Sequence, residues 1–240
     1  MRFARLLVPI ALTSVVLAGC VNTKDPSGGA APTTVADNGV KDLPVAEIVA
    51  KAAAATDAAG SYRVKGEVTQ DGRKLSVDAQ IKSKDVSGTV TMTQGAAKVR
   101  RVGTSLYLQA DPALWGIFAG PAAETIATLF KGKWVKTSTA TKEFAELATI
   151  GDVTQMVQTY GTSTITKGEL KTVNGMRVIE LKEASGGSIF VATTGEPYIV
   201  RVELKDGALD VSEFGAKFDD IVAPPADQVV DLSGLMGMGK

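Results

Sequence analysis

The strongest constraint on this chain is a change of hydrophobic period. From residue 61 to about 110, and again from about 162 to 222, apolar residues recur at every second position. Tyr62, Val64 and Val68 fall on one side of the chain and Arg63, Lys65 and Glu67 on the other. Leu75, Val77, Ala79 and Ile81 alternate with Lys74, Ser76, Asp78, Gln80 and Lys82. Val86, Gly88, Val90 and Met92 alternate with Ser87, Thr89, Thr91 and Thr93, and Tyr198 to Leu204 repeats the pattern. A period of two marks strands with one buried face. Asp71-Gly72, Asn174-Gly175 and Asp206-Gly207 are hairpin signals. The spacing predicts a five-stranded meander, its last two strands near 97–102 and 104–110. About five further strands fit between 162 and 222, and Pro224-Pro225 is expected to end the sheet.

Helical periods occupy the rest. Asp42 offers a cap, Pro44 suits a first turn, and Val45, Ile48, Val49 and Ala52 follow at helical spacing up to Gly60. In the segment 111–160, Asp111-Pro112 opens a helix carrying Leu114, Trp115, Ile117 and Phe118. Gly120-Pro121 breaks it, and a second piece carries Ile126, Leu129 and Phe130. Trp134 is expected on a short extended piece, and Phe144 and Leu147 on another helical turn. Asp152 caps a last helix with Val153, Met156, Val157 and Tyr160. The order is helix, meander, helical insert, meander. A sheet with one apolar face needs a cover, and only these helices can supply it. The fold class is therefore α+β: a large antiparallel sheet, curved by its twist, with helices packed on the concave face.

Composition narrows function by exclusion. The chain of 240 residues has 26 basic and 26 acidic side chains and no histidine. That balance argues against nucleic-acid binding. The missing histidine removes Ser-His-Asp and Cys-His catalysis and His-ligated metals. No Gly-x-Ser-x-Gly, no Ser with Lys three residues on, no Gly-x-x-x-x-Gly-Lys-Ser/Thr and no Gly-x-Gly-x-x-Gly occurs. Asp219-Asp220 lacks the surrounding loop a calcium site needs. The reading is a non-enzyme with no cofactor and no metal.

The single cysteine has a specific setting. Met1 to Arg5 is a short basic region, Leu6 to Gly19 is an uncharged stretch of 14 residues, and Leu17-Ala18-Gly19-Cys20 closes it. The stretch is short for a membrane span and fits a secretory leader. The group resembles the leader and lipobox of bacterial lipoproteins, in which Cys20 would be acylated and residues 1–19 removed. Loss of Arg2 and Arg5 would leave 24 basic against 26 acidic side chains. Residues 20–42, with Pro26, Gly28, Gly29, Pro32 and Gly39, read as a tether with a root-mean-square reach of about 25 Å. Residues 43–240 read as one domain. The expected location is extracytoplasmic, on the outer face of the cell membrane, held through lipid on Cys20.

The order of these parts resembles a known group. Lipobox, tether, opening helix, meander, the Leu106-Tyr107-Leu108 strand, the insert from Asp111-Pro112 to Phe130 with Trp115 and Trp134, and a closing Phe214–Pro225 strand are similar to the LppX/LprG/LprF lipoproteins of actinobacteria. Those in turn resemble the LolA/LolB half-barrel carriers. The resemblance implies a half-barrel around helices and a role in holding acylated lipid or lipoglycan in an apolar cavity and passing it across the envelope. It carries no short binding motif, so Cys20 alone transfers as a residue.

Candidate cavity residues follow from the insert and the apolar sheet face. They are Leu114, Trp115, Ile117, Phe118, Ile126, Leu129, Phe130, Trp134, Met156, Val90, Met92 and Leu106. A helix apolar on all sides either is deeply buried or borders an apolar ligand. Lys98, Arg100 and Arg101, and Lys131, Lys133 and Lys136, form basic clusters that suit anionic head groups or a solvated strand face. Two functions stay open. One is a membrane-anchored carrier of acylated lipid or glycolipid, with an envelope transporter as a candidate partner. The other is the same fold with its cavity filled by its own side chains, acting as a sensor or accessory through protein contacts. Void space between sheet and helices separates them.

Overall fold

The computed structural model describes residues 36–70, 72–119, 123–139, 151–159, 165–184 and 186–232. Cys20, Phe144, Leu147 and Tyr160 lie outside them. The first meander is β1 (Ser61–Gln70), β2 (Arg73–Lys82), β3 (Asp85–Met92), β4 (Gly95–Val102) and β5 (Ser105–Ala110), continued by β6 (Trp134–Ser138). The second is β7 (Ile165–Val173), β8 (Met176–Glu183), β9 (Ser188–Ala192), β10 (Ile199–Leu204) and β11 (Gly207–Ser212). A short β12 (Val229–Asp231) follows it. Helix α1 (Val45–Ala58) precedes both meanders. Helices α2 (Pro112–Ala119), α3 (Ala123–Leu129) and α4 (Val153–Thr159) lie between β5 and β7.

The two meanders form one sheet. β1 pairs antiparallel with β11, so the order runs β12-β6-β5-β4-β3-β2-β1-β11-β10-β9-β8-β7. An open twisted sheet of this width curls, which gives the expected α+β half-barrel. The junction is made by glycines. A Cβ on Gly66 would overlap the Ala208 carbonyl, and one on Gly207 would overlap the Glu67 carbonyl. Two backbones meet where most strand pairs carry side chains.

This order also explains the helices. β6 lies near one edge and β7 at the other, ten strand spacings apart, or roughly 48 Å along the sheet. The described helix of the connection between them, α4, lies on the apolar face. Val153 of α4 packs over Tyr62, Val64, Ala79 and Leu209, while Val157 packs with Ile179, Leu181, Val191 and Val202. Asp152 caps α4 as expected, its Oδ1 accepting from Gln155 N at 2.9 Å. Helix α1 covers the β7–β10 end with Ile48, Val49 and Ala52. Its Thr56 Oγ1 accepts from Ile199 N at 3.1 Å, beside the register shift between Ile199 and Arg201 in β10.

Four expectations need correction. Asp42 does not cap α1; it belongs to a 3-10 turn (Val40–Asp42), and Pro44 takes the cap position. The tether docks before residue 43: Asp37 bridges Thr194, Asn38 N donates to Thr193 O at 2.8 Å, and Val40 is buried. Phe214–Pro225 is not a strand; β11 ends at Ser212, and Phe214 stacks on Tyr198 at 4.1 Å. Pro224-Pro225 does not end the sheet, because β12 adds a parallel edge strand beside β6.

Candidate functional site

The inner face of β3–β5 is an apolar floor. Val90, Val99, Leu106 and Leu108 form one buried cluster, with Leu75 and Met92 packed against it. Register makes it so: Gly88 faces Val99 and Val90 faces Ala97, and Val99 in turn faces Leu108. The alternation then points all of them to one side. No described helix residue belongs to this cluster, whereas the neighbouring clusters each include one. α4 contributes Val153 on one side. On the other, Trp115 of α2 and Phe130, just after α3, meet edge to face at 5.4 Å over Val135.

The chain fixes the α2–α3 hairpin locally. Asp111 Oδ2 accepts from Ala96 N at 2.8 Å, and Asp111 N donates to Ala96 O at 2.9 Å. The start of α2 is thereby pinned to β4. Pro112 follows at the first helical position, where its missing N–H costs nothing. At the far end Lys133 N donates to Phe130 O at 2.9 Å, and Gly132 takes φ +71°, a left-handed turn that glycine adopts without strain. That turn sends the chain into β6.

The structure brings some candidates together and separates others. Val90, Met92 and Leu106 share the floor. Trp115, Ile126 and Phe130 share the adjoining cluster. Leu114 is wholly buried. Met156 is half-buried on α4 and packs against both clusters beneath that helix. Leu129 turns outward and is 66% exposed. Trp134 leaves the group: it lies on the opposite face of the sheet, under the Arg100 guanidinium at 4.9 Å. The reason is parity, since Val135 pairs with Leu108 on the inner face and its neighbour must point away. The side chains of Ile117 and Phe118 lie outside the described residues. Val99 and Val135 belong to the inner surface and were not among the candidates. The signal for Val99 was present, an apolar residue between Lys98 and Arg100.

The basic clusters divide in the same way. Arg101 pairs in register with Val86 and Leu106 and so lies on the inner face, while Lys98 and Arg100 lie on the outer one. Lys136 is bound to Asp231 at 2.7 Å, and Lys133 Nζ donates to Asp227 O at 3.0 Å. On the outer face Arg63 holds Asp78 through two contacts at 2.7 and 2.8 Å and reaches Glu213 at 3.1 Å. Hydrogen bonding from Arg63 keeps the Asp78 carboxyl below its usual range, against partial desolvation.

Several concavities open among the described residues. One of about 550 Å³ spans the outer face of β1–β4. Another of about 570 Å³ lies on the outer face at the β1–β11–β10 junction, around Glu67, Arg201, Glu203 and Asp210. A third, about 410 Å³, runs along α1 beside Gln158, with Ala46, Val49 and Ala53. None of the three is lined by Val90, Met92 or Leu106. Among the described residues no group of three Asp, Glu, Cys or His converges as a metal site. No described helix is long and apolar enough to cross a membrane.

No protein-family model matches the chain, and no curated protein matches it by sequence. Among solved structures, the crystal structure of an uncharacterized conserved protein from Thermus thermophilus is similar at a TM-score of 0.41 and 7% identity. That alignment spans 79% of this chain and 99% of the other. The crystal structure of LprF from Mycobacterium bovis is similar at a TM-score of 0.47 and 11% identity, over 76% of this chain and 97% of that one. LprF is one of the lipoproteins that the order of elements in this sequence resembles.

Proposed function

We propose that the chain is an extracytoplasmic lipoprotein, anchored through acylated Cys20, that carries acylated lipid or glycolipid within the cell envelope. The acyl chains lie between the floor of β3–β5 and the α2–α3 hairpin. The observation that carries this reading is the floor itself. It is a continuous apolar surface of strand residues with no described helix residue inserted into it. Burial of acyl carbons is worth about 0.8 kcal/mol per CH₂, so a site that offers such a surface can compete with a membrane. Val90, Val99, Leu106 and Leu108 are 0–3% exposed, so loading requires the hairpin to move. Arg101 and Thr137, on the same face as Leu106, are placed to meet the polar end of a lipid. The reading assigns the chain no catalytic step. Its donor or acceptor would be an envelope transporter or a membrane.

The second reading, a filled core acting through protein contacts, is favoured by that same low exposure. A transfer assay decides between them. Donor vesicles carry a fluorescent diacyl lipid, and acceptor vesicles carry a quencher. The carrier reading expects the protein to speed transfer and Val90→Trp to abolish the gain. No acceleration by the unmodified protein would leave the filled-core reading.

A further inference from the structure

We propose that the groove across the outer face of β1–β4 binds an acidic oligosaccharide, a short sugar chain bearing carboxylate or phosphate groups. This site lies on the face opposite the acyl floor and does not depend on the carrier reading. Its volume is about 550 Å³, within the range of ligand sites. Register lays two polar rungs across it. One runs Arg63–Gln80–Ser87–Arg100 and the other Lys65–Asp78–Thr89–Lys98. Each rung carries a cation at both ends and groups that bond hydroxyls between them. The ends lie three strand spacings apart, roughly 14 Å.

The cations are not equivalent. Arg63 is taken up by Asp78 and Glu213, and Lys65 sits 3.7 Å from Asp78. Lys98 makes no ion pair among the described residues. Arg100 is held in place without an acid: its Nη1 donates to Val222 O at 3.2 Å, and its guanidinium lies over Trp134. The remaining donors of Arg100 and the whole ammonium of Lys98 therefore stand ready beside the hydroxyls of Ser87 and Thr89. Charge-assisted bonds to an anion from such fixed donors are stronger than neutral ones. Four cations against two carboxylates, Asp78 and Glu213, leave the groove positive on a chain whose acids and bases balance overall. A membrane surface is flat and fits a groove between strands poorly. A sugar chain supplies hydroxyls for the middle of each rung and acids for the β4 end.

The test is calorimetric titration of the full chain with trigalacturonate at low salt, with maltotriose as the neutral counterpart. The expected result is saturable 1:1 binding of trigalacturonate, no binding of maltotriose, and at least a tenfold loss in both Lys98→Glu and Arg100→Gln. Thermal melts confirm that the variants fold, and a change in Trp134 emission on binding reports engagement of Arg100. Absence of binding, or affinity unchanged from the parent in both variants, overturns the proposal. So does equal affinity for acetate alone, which makes the groove a simple anion site. Capture of phosphatidylglycerol vesicles through Lys98 and Arg100, with no uptake of the trisaccharide, replaces the proposal with a membrane contact.

Discussion

The two halves of the sheet bury their faces differently. Around β8–β10 both faces are closed. Helices α1 and α4 insert Ile48, Val49, Ala52 and Val157 into the inner cluster. On the outer side Val178, Phe190, Ala192 and Val200 pack together under Tyr198 and Phe214. At β3–β5 the inner floor is made of strand residues alone among those described, and the outer face is a polar groove. A face whose cover interdigitates with it is a core and resists change. Under the proposed reading the floor instead exchanges its cover for acyl chains, and the contrast between the two halves is the place to test it.

Substitutions can break or sharpen this contrast. The largest effect is expected at the junction. Gly66→Val forces a side chain into the Ala208 carbonyl and should cost about 3 kcal/mol or more, read as a fall in the denaturant midpoint. An unchanged midpoint would show that the halves are not joined as described. Next comes the comparison itself. Ile48→Ala, in the interdigitated half, should cost about 2–5 kcal/mol. Leu106→Ala, in the floor, should cost half of that or less, because an adaptable acyl chain refills the space. Equal costs would make the floor an ordinary core. Smaller again is Arg100→Ala, which uncovers Trp134 and should cost about 0.5–1 kcal/mol, together with a shift in Trp emission.

The smallest effect is pH-dependent. The Asp78 carboxyl is lowered in the folded chain by Arg63, from a starting value of 3.8. Its contribution is therefore complete above that value and is lost as pH falls through the lower folded value. Asp78→Asn should lower stability at neutral pH by about 0.2–1 kcal/mol, as for other partly exposed pairs, and the difference from the parent should shrink as pH falls below about 4, which flattens the acid side of the curve. A variant with the same acid-side slope as the parent would sever the link between this pair and the outer face.

Local pattern carried much of the fold. Alternation placed the strands of both meanders, and Asn174-Gly175, with φ of +51° and +79°, makes the turn its residues announce. Pairing between distant strands was not legible. Nothing near Gly66 or Leu209 says that β1 and β11 meet, and β12 is three residues with a partner about a hundred positions away. The same gap hid the site. Size and apolar character put Trp134 inside, but parity with the Leu108–Val135 pair turned it outward. Lys98, Arg100 and Arg101 looked like one cluster in sequence, although a period of two already assigns Arg101 to the other face. The rungs of the outer groove depend on register across four strands, which no single strand encodes.

The central claim is that the floor of β3–β5 holds acyl chains. Native mass spectrometry of the Cys20→Ser chain, produced in a host with a bacterial envelope, tests it most directly, because any acyl mass is then cargo and not anchor. The account predicts a di- or triacylated lipid in defined stoichiometry, absent from the folded Val90→Trp variant. A bare protein mass that stays bare after incubation with envelope extract, or a lipid retained equally by Val90→Trp, would contradict it.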